Sequence, residues 1–192
     1  MAKRQKIVLA SKSPRRKDLL EQLGLKFRIA DPDVDETPRV GEAPVIYVRR
    51  IALAKALAVQ APAGALVIAA DTTVEIDGDI LAKPFDGEEA TRMLARLAGR
   101  THRVHTGVAL VCGDERAGDV ITTEVTFTPL SAEMIEWYVA TGEGLDKAGS
   151  YAIQGLGGVF VERIDGSVSN VVGLPLHTVV RLAQELGVTL LG

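Results

Sequence analysis

The sequence predicts a mixed α/β fold, in which a β-sheet is flanked by helices, and three observations support it. Ile7–Ala10 is a short apolar run typical of a buried strand, and Ser11–Pro14 after it are residues that begin a helix. Leu66–Ala70 is a second apolar run of strand length. Residues 101–111 and 120–128 alternate between apolar and polar side chains, as antiparallel strands do.

The first part of the chain supplies two helices and a further strand. Pro14–Leu23 is predicted as a helix that ends at the following glycine, because its leucines fall on one face. Lys26–Ile29 is predicted as a strand, and residues 31–38 form an acidic loop punctuated by prolines. Pro44–Gln60 is predicted as a long helix with an apolar stripe, and Lys55 lies away from the centre of that stripe.

Asp71 is predicted to stand at the carboxyl end of the strand Leu66–Ala70. Open α/β sheets bind their ligands beyond the carboxyl ends of strands, so this position is a candidate site. Val74–Leu81 is predicted as a hairpin, because Asp77-Gly78 is typical of a two-residue turn. The remaining predicted elements are a helix over 86–97, a helix from Ser131 through Ala140, strands over 159–161 and 169–172, and a helix over 176–186.

Composition excludes several classes of protein. With 192 residues, of which 47% are apolar and 24% charged, the chain resembles an ordinary folded domain. Neither a repeat nor a long linker divides it, so residues 1–192 are predicted as one domain, with a division into two lobes left open. The net charge of −3 leaves no excess of basic residues for a nucleic-acid backbone. A single cysteine, Cys112, excludes an internal disulfide and a multi-cysteine zinc site.

The beginning of the chain imitates a secretory signal. Met1–Lys6 is basic, but the apolar run Ile7–Ala10 is shorter than the roughly seven residues that such a signal needs. Apolar runs elsewhere also stay well below the roughly 18 residues of a membrane span. We therefore expect a cytoplasmic protein that binds neither a membrane nor nucleic acid.

Ser11–Arg16 is the strongest candidate for a phosphate site. Hydroxyls, free backbone N–H groups and two guanidinium groups come together at the start of a predicted helix, where the helix dipole is positive. The alternative is an ordinary helix cap with solvated arginines, and the residues alone leave both open.

Other charged positions suit the same chemistry. Lys83 follows the predicted hairpin, which could fold it back toward the strand edge that carries Asp71. Asp35 and Glu36 add carboxylates in the acidic loop, and carboxylates together with phosphate oxygens are the ligands of Mg²⁺. Simpler alternatives stay open for each of these positions. Asp71 could cap a loop, Lys83 could be a solvated turn residue, and the two acidic loop residues could serve solubility.

Leu145–Gly158 is a glycine-rich segment that allows close approach of the backbone to a ligand. Within it, Gln154 offers both a donor and an acceptor to the edge of a base. The segment does not fit the GxxxxGK[ST] pattern of a Walker loop. Glycines that serve turns alone are the alternative.

Taken together, five segments resemble the Maf family of nucleotide pyrophosphatases. They occur in the family's order between about residues 7 and 186, and they are Leu9–Arg16, Ala70–Thr72, Lys83–Pro84, Gly99–His102 and Asp146–Gly155. The last of them resembles the branch of the family that acts on dTTP and UTP. Ala152 departs from that branch, where glycine is expected, and the change is from one small residue to another.

The resemblance implies a fold and an activity. The fold is an elongated, twisted mixed β-sheet flanked by helices, as in ITPase and Maf proteins, with a ligand cleft between two lobes. The activity is hydrolysis of a nucleoside triphosphate between the α and β phosphorus, which gives a monophosphate and pyrophosphate and clears unwanted nucleotides from the pool. The resemblance implies a divalent metal, Mg²⁺ or Mn²⁺, as cofactor, and a homodimer is compatible with it.

The resemblance also assigns roles to residues. Asp71 is the proton acceptor. The positions that determine substrate specificity are Arg15, Thr72 and Gln154. The phosphate contacts fall to Ser11 or Ser13, Arg16, Lys55 and Lys83. Glu36 and Asp71 are the expected metal ligands, with the neighbouring Asp35 as an alternative to Glu36.

Three rival functions stay open. One is a nucleotide-sensing module linked to cell division or septum control, which binds nucleotides without turnover. Another is a phosphatase that releases orthophosphate from a sugar phosphate or another phosphomonoester. The third is a structural scaffold, which nucleotides would not stabilise against heat.

Overall fold

The computed structural model describes residues 5–191, so Met1–Arg4 of the basic N-terminal segment lie outside the described residues. The strands are β1 (Ile7–Ala10), β2 (Arg28–Ala30), β3 (Leu66–Ile76), β4 (Asp79–Leu81), β5 (Thr101–Cys112), β6 (Glu115–Phe127) and β7 (Val161–Asp165). The helices are α1 (Pro14–Gln22), α2 (Pro44–Ala58), α3 (Gly87–Leu97), α4 (Ala132–Ala140), α5 (Val168–Val172) and α6 (Leu176–Glu185). Within residues 5–191, none of these helices has both the length and the apolar character needed to cross a membrane.

The seven strands found among residues 5–191 belong to one mixed sheet, which confirms the predicted α/β class. The order is β2-β1-β3-β5-β6-β7, and β4 pairs with β3 beside this path. β1 is parallel to both neighbours, with Leu9 opposite Ile29 on one side and Ile68 on the other. β4 is antiparallel to β3, and β7 is antiparallel to β6.

The chain divides into two compact units. Unit 1 comprises the chain up to Asp71, residues 106–121 and the chain from Gly173 onward. Unit 2 comprises residues 72–105 and 122–172. Because β3, β5 and β6 each contribute residues to both units, no linker marks the division, and the sequence offers no composition change by which to find it.

Each unit has its own core, and the two cores differ in character. One core cluster of unit 1 consists mainly of small side chains of β1, α2, β3 and β5, among them Ala10, Ala52, Ala56, Ala69 and Ala109. The core of unit 2 is aromatic in part, and it includes Phe127, Tyr138, Tyr151 and Phe160 in tilted and edge-to-face contacts. Small residues let helix and strand backbones approach closely in unit 1, whereas rings fill a wider space in unit 2.

Most of the predicted elements are confirmed, with the local chemistry that predicted them. The hairpin turn has positive φ at Asp77 (58°) and Gly78 (85°), as a two-residue turn requires. Helix α3 begins after Asp86, whose carboxylate accepts the Glu89 N–H at 2.8 Å. Helix α4 begins after Ser131 with the equivalent bond.

The prediction that Asp71 stands at the carboxyl end of its strand is wrong. β3 continues to Ile76, because residues 74–76 pair with the returning strand β4. Asp71 therefore lies in the middle of an eleven-residue strand whose residues are all buried except the half-buried Thr72.

Of two short strands predicted near the C-terminus, the one over 159–161 is misplaced and the one over 169–172 is wrong. Residues 156–160 form a 3₁₀ turn, and β7 starts only at Val161. Residues 169–172 lie in helix α5 instead of a strand. Ser167 begins this helix, because its carbonyl oxygen accepts the N–H groups of Asn170 and Val171. Local capping thus outweighs the strand preference of a short β-branched run.

Gly107 of β5 lies against the backbone of helix α2 in unit 1. A Cβ at this position would come within 2.3 Å of the Val48 carbonyl oxygen and 2.9 Å of the Arg49 nitrogen. Because backbone atoms cannot rotate away, we expect Gly107→Ala to lower the free energy of unfolding by ~3 kcal/mol, the upper part of the usual range for overpacking.

The measurement is chemical denaturation of wild type and variant. Gly64→Ala is the matched control, because Gly64 has a positive φ of 70° but nothing within 4 Å of an added Cβ. That change should cost only about 1 kcal/mol, from backbone strain alone. Equal losses in the two variants would contradict the close approach of α2 and β5.

Candidate active site

The carboxylate of Asp71 is the centre of the candidate site in unit 1. Asp71 lies in the buried strand β3, and the residue is only 4% exposed. Oδ1 accepts a hydrogen bond from Lys55 Nζ at 2.7 Å. Oδ2 is buried and has no hydrogen-bond partner among residues 5–191. A buried acceptor without a partner marks the place where a water molecule, a metal ion or a substrate atom can bind.

Lys55 reaches Asp71 because helix α2 buries it. Val48, Ile51, Ala52 and Ala56 are buried on the same helix, and the spacing 48, 51, 52, 55, 56 puts Lys55 on their face. The lysine is 5% exposed, so the prediction that it lies away from the centre of the apolar stripe is wrong. The spacing was the signal that could have shown its burial. A buried ammonium needs paired charges, and Lys55 has two.

The second charge partner of Lys55 is Glu36, whose Oε2 lies 3.0 Å from Nζ. Tyr47 of α2 holds the loop at this point by donating its hydroxyl to the Glu36 carbonyl oxygen at 3.0 Å. The neighbouring Asp35 turns back and accepts the N–H of Thr37 at 2.9 Å. Of the two acidic residues that the sequence left open, Glu36 is therefore the one beside Lys55.

Further along the same loop, Arg50 of α2 adds a second attachment. Its guanidinium group donates two hydrogen bonds to the Glu42 carboxylate, at 2.7 and 2.6 Å, and one to the Thr37 carbonyl oxygen at 3.1 Å. The pKa of Glu42 falls to about 2, chiefly through its hydrogen bonds with Arg50. The sequence gives one hint of this support, which is that a helix with basic residues follows the acidic loop.

Arg16, which Ser11 helps to hold in place, supplies positive charge to the site. Arg16 Nε donates to the Gly173 carbonyl oxygen at 2.8 Å, and Nη1 donates to Ser11 Oγ at 3.3 Å. Ser11 is buried, and its Oγ also accepts the N–H of Ser13 at 3.1 Å. Ser13 stands at the N-cap of α1 without a side-chain capping bond, and Arg15 follows in the first turn. The guanidinium of Arg16 is thus fixed in place, which argues against a merely solvated arginine.

The charges of the site influence one another. Burial raises the pKa of Asp71, and Glu36 adds to the rise, while Lys55 and Arg16 act against it. Burial lowers the pKa of Arg16, and the attraction of Asp71 opposes this effect. A carboxylate with a raised pKa is a better proton acceptor near neutral pH than an ordinary aspartate.

The remaining predicted site residues belong to unit 2. Thr72 follows Asp71 in β3 and is half-buried. Lys83 is exposed just after β4, and the neighbouring Ala82 carbonyl oxygen accepts the N–H of Gly149 at 3.3 Å. Gln154 is exposed in a turn that the Gly155 N–H closes onto the Ala152 carbonyl oxygen. Within unit 2, the hydrogen bond between Gly149 and Ala82 places the backbone beside Lys83 next to the glycine-rich segment. The sequence motifs alone did not show that these two parts of the chain are in contact.

The donor set of unit 1 fits a divalent cation held partly by a substrate. In the part of the chain that the structure describes, no group of three or more His, Cys, Asp or Glu residues could hold a metal alone. Asp71 and Glu36 nevertheless contact the same ammonium group, and Asp71 Oδ2 is unpartnered. Mg²⁺ is usually bound by one or two carboxylates together with phosphate oxygens, so these two residues suit it.

Comparison with known proteins gives close relatives along the whole chain. A protein of Myxococcus xanthus named dTTP/UTP pyrophosphatase is 52% identical over 185 residues, which cover 96% of this chain and 94% of the relative. A protein of Symbiobacterium thermophilum with the same name is 50% identical over 184 residues, with 95% of each chain covered. Among solved structures, the Ham1 protein of Staphylococcus aureus has a TM-score of 0.45 at 17% identity, over 64% of this chain and 72% of that one.

The family model described as Maf-like protein matches residues 6–186. This match has nearly the extent that the sequence motifs indicated, and it confirms the resemblance on which the site assignments rest. The chain therefore belongs to the Maf family.

Proposed function

We propose that this protein hydrolyses dTTP and UTP to the nucleoside monophosphate and pyrophosphate. The observation that carries the proposal is the buried Asp71 carboxylate, which Lys55 holds at one oxygen and which is unpartnered at the other. Relatives that share about half of its residues carry the name of this activity. Removal of unwanted nucleotides from the cytoplasmic pool is the corresponding physiological role.

In the proposed reaction, Asp71 orients a water molecule through Oδ2 and accepts its proton as the oxygen attacks phosphorus. The bond between that phosphorus and the α–β bridging oxygen breaks, and the nucleoside monophosphate and pyrophosphate separate. Lys55 keeps the carboxylate in place, and the raised pKa of Asp71 suits it to accept the proton. Arg16, fixed by Ser11 and Gly173, offers positive charge to the phosphate oxygens on which negative charge accumulates. Most of the rate enhancement then comes from positioned charge.

Asp71 and Glu36 are the residues that would hold Mg²⁺ or Mn²⁺ together with the phosphates. When bound, such an ion neutralises phosphate charge and lowers the pKa of a coordinated water molecule. The roles of Ser13 and Lys83 as phosphate contacts, and of Arg15, Thr72 and Gln154 in substrate selection, follow from the family motifs that these residues match. A homodimer remains compatible with this proposal.

The direct test is incubation of the purified protein with dTTP and Mg²⁺, followed by identification of the products. We expect dTMP and pyrophosphate in equal amounts, and we expect EDTA to abolish their formation. Release of orthophosphate would identify a phosphatase instead. Thermal stabilisation by dTTP without products would identify a binding module, and no response at all would identify a scaffold.

Replacement of the proposed proton acceptor tests the role of Asp71. We expect Asp71→Asn to lower kcat for dTTP by a factor of about 10²–10⁴, the usual contribution of a general base, while the protein stays folded. Steady-state kinetics and circular dichroism measure the two effects. Asp114→Asn, at an exposed position in the turn between β5 and β6, is the matched control and should leave kcat unchanged. Near-wild-type turnover of Asp71→Asn would refute the assignment.

The charge network predicts how the pKa of Asp71 responds to its neighbours. Glu36 raises this pKa and Lys55 lowers it, so Glu36→Gln should move it down and Lys55→Met should move it up. The measurement is an NMR titration of the Asp71 carboxyl carbon in wild type and both variants. Shifts in the same direction, or none, would contradict the network.

A further inference from the structure

The segment that carries Gln154 is fixed by side chains that lie outside it. We name residues 151–158 the Gln154 segment. At its beginning, the buried hydroxyl of Tyr151 lies 2.9 Å from His102 Nε2. Burial lowers the pKa of His102 to about 4, so this contact joins two neutral groups.

Glu143 binds the other end of the segment. Its Oε1 accepts the N–H of Leu156 at 2.9 Å, and its Oε2 accepts the N–H of Gly157 at 3.0 Å. Both amides belong to the first residues of the 3₁₀ turn, where backbone N–H groups have no partner within the turn itself. One carboxylate thus satisfies two backbone donors with charge-assisted hydrogen bonds.

Tyr138 connects Glu143 to the other side of Gln154. This tyrosine of α4 is fully buried, and its hydroxyl donates to Glu143 Oε2 at 2.8 Å. The same hydroxyl oxygen accepts the N–H of Ala152 at 3.1 Å. The Glu143–Tyr138 pair therefore holds the backbone two residues before Gln154 and two and three residues after it.

Two glycines of the segment leave the space that these contacts require. A Cβ on Gly155 would lie 2.1 Å from Glu143 Oε1, and a Cβ on Gly157 would lie 2.9 Å from the Tyr138 hydroxyl oxygen. Neither glycine has a positive φ, so close approach explains them better than a special backbone conformation.

The contacts also keep Glu143 ionised. Burial alone would raise its pKa, but the amides of Leu156 and Gly157, the Tyr138 hydroxyl and Lys147 together lower it. The carboxylate therefore remains a double acceptor across the neutral pH range, and the segment has the same attachment throughout.

We propose that Glu143, acting with Tyr138, is a positioning residue that orients Gln154 and so determines the preference for pyrimidine triphosphates. This inference rests on the proposed function, in which Gln154 reads the base. Gln154 itself is exposed, so the direction of its amide depends on a backbone that is held on both sides. A site that selects by hydrogen bonds discriminates well only if its donors and acceptors stay in place.

The test compares Glu143→Gln with wild type on dTTP and on dGTP. Glutamine keeps the size of the side chain but turns an amide N–H₂ toward at least one backbone N–H donor. We expect KM for dTTP to rise about tenfold with a smaller change in kcat, and the ratio of kcat/KM for dTTP over dGTP to fall about tenfold. Glu136→Gln, at an exposed position of α4, is the matched control and should change neither value.

A purely structural role is distinguished by a double variant. If Glu143 acts through Gln154, Glu143→Gln should not reduce the dTTP preference any further in a Gln154→Ala background. Hydrogen exchange of the peptide that covers the Gln154 segment should be faster in Glu143→Gln than in wild type. If Glu143→Gln does not fold, Tyr138→Phe, which removes only the connecting hydroxyl, should show the same loss of preference.

The outcomes separate this inference from the proposed function. A wild-type protein that does not release pyrophosphate from dTTP refutes both. An active wild-type protein whose dTTP preference survives Glu143→Gln, or Tyr138→Phe where that variant replaces it, refutes the positioning role alone. Equal losses on dTTP and dGTP, or additive losses with Gln154→Ala, also refute it.

Discussion

The buried ion pair between Lys55 and Asp71 is the constraint on which the arrangement of unit 1 depends. Removal of Lys55 would leave the buried Asp71 carboxylate without the ammonium group that it contacts, and the loss of one partner from a buried pair commonly costs about 3–5 kcal/mol. The pair can form only if α2 lies close to β3, and the alanines of both elements permit that distance. The packing of small side chains and the placement of the proposed proton acceptor are therefore one structural requirement.

Two carboxylates compete for Lys55, and this competition suits the site to the proposed reaction. Lys55 is shared between Asp71 and Glu36, so neither carboxylate is fully neutralised by it. Asp71 keeps one buried oxygen without a partner, at a cost in folding free energy that a bound ligand can recover. A site with an unsatisfied acceptor next to fixed cations is better suited to bind and activate a polar group than a fully paired one.

Local sequence signals predicted the elements of the fold but not how long-range contacts complete them. The succession of β1 and α1 and the turn at Asp77-Gly78 depend only on residues that are close in sequence, and the structure confirms both predictions. The continuation of β3 depends on its pairing with β4, and helix α5 depends on a cap at Ser167. In the same way, Asp71 was recognisable as a candidate, but its contact with Lys55 joins residues on separate elements. The preference for Glu36 over Asp35 depends on the hydroxyl of Tyr47.

In the proposed function, the two units serve recognition by different physical means. Unit 1 holds charged side chains through ion pairs and burial, which suits phosphate, because every nucleoside triphosphate presents the same charge to it. Unit 2 holds a stretch of backbone through one carboxylate and one phenol, with glycines that admit them. Discrimination between bases depends on the direction of hydrogen bonds, and direction is set by a rigid backbone more than by charge. Substitutions that affect turnover should therefore concentrate around Asp71, and those that affect selectivity around Glu143.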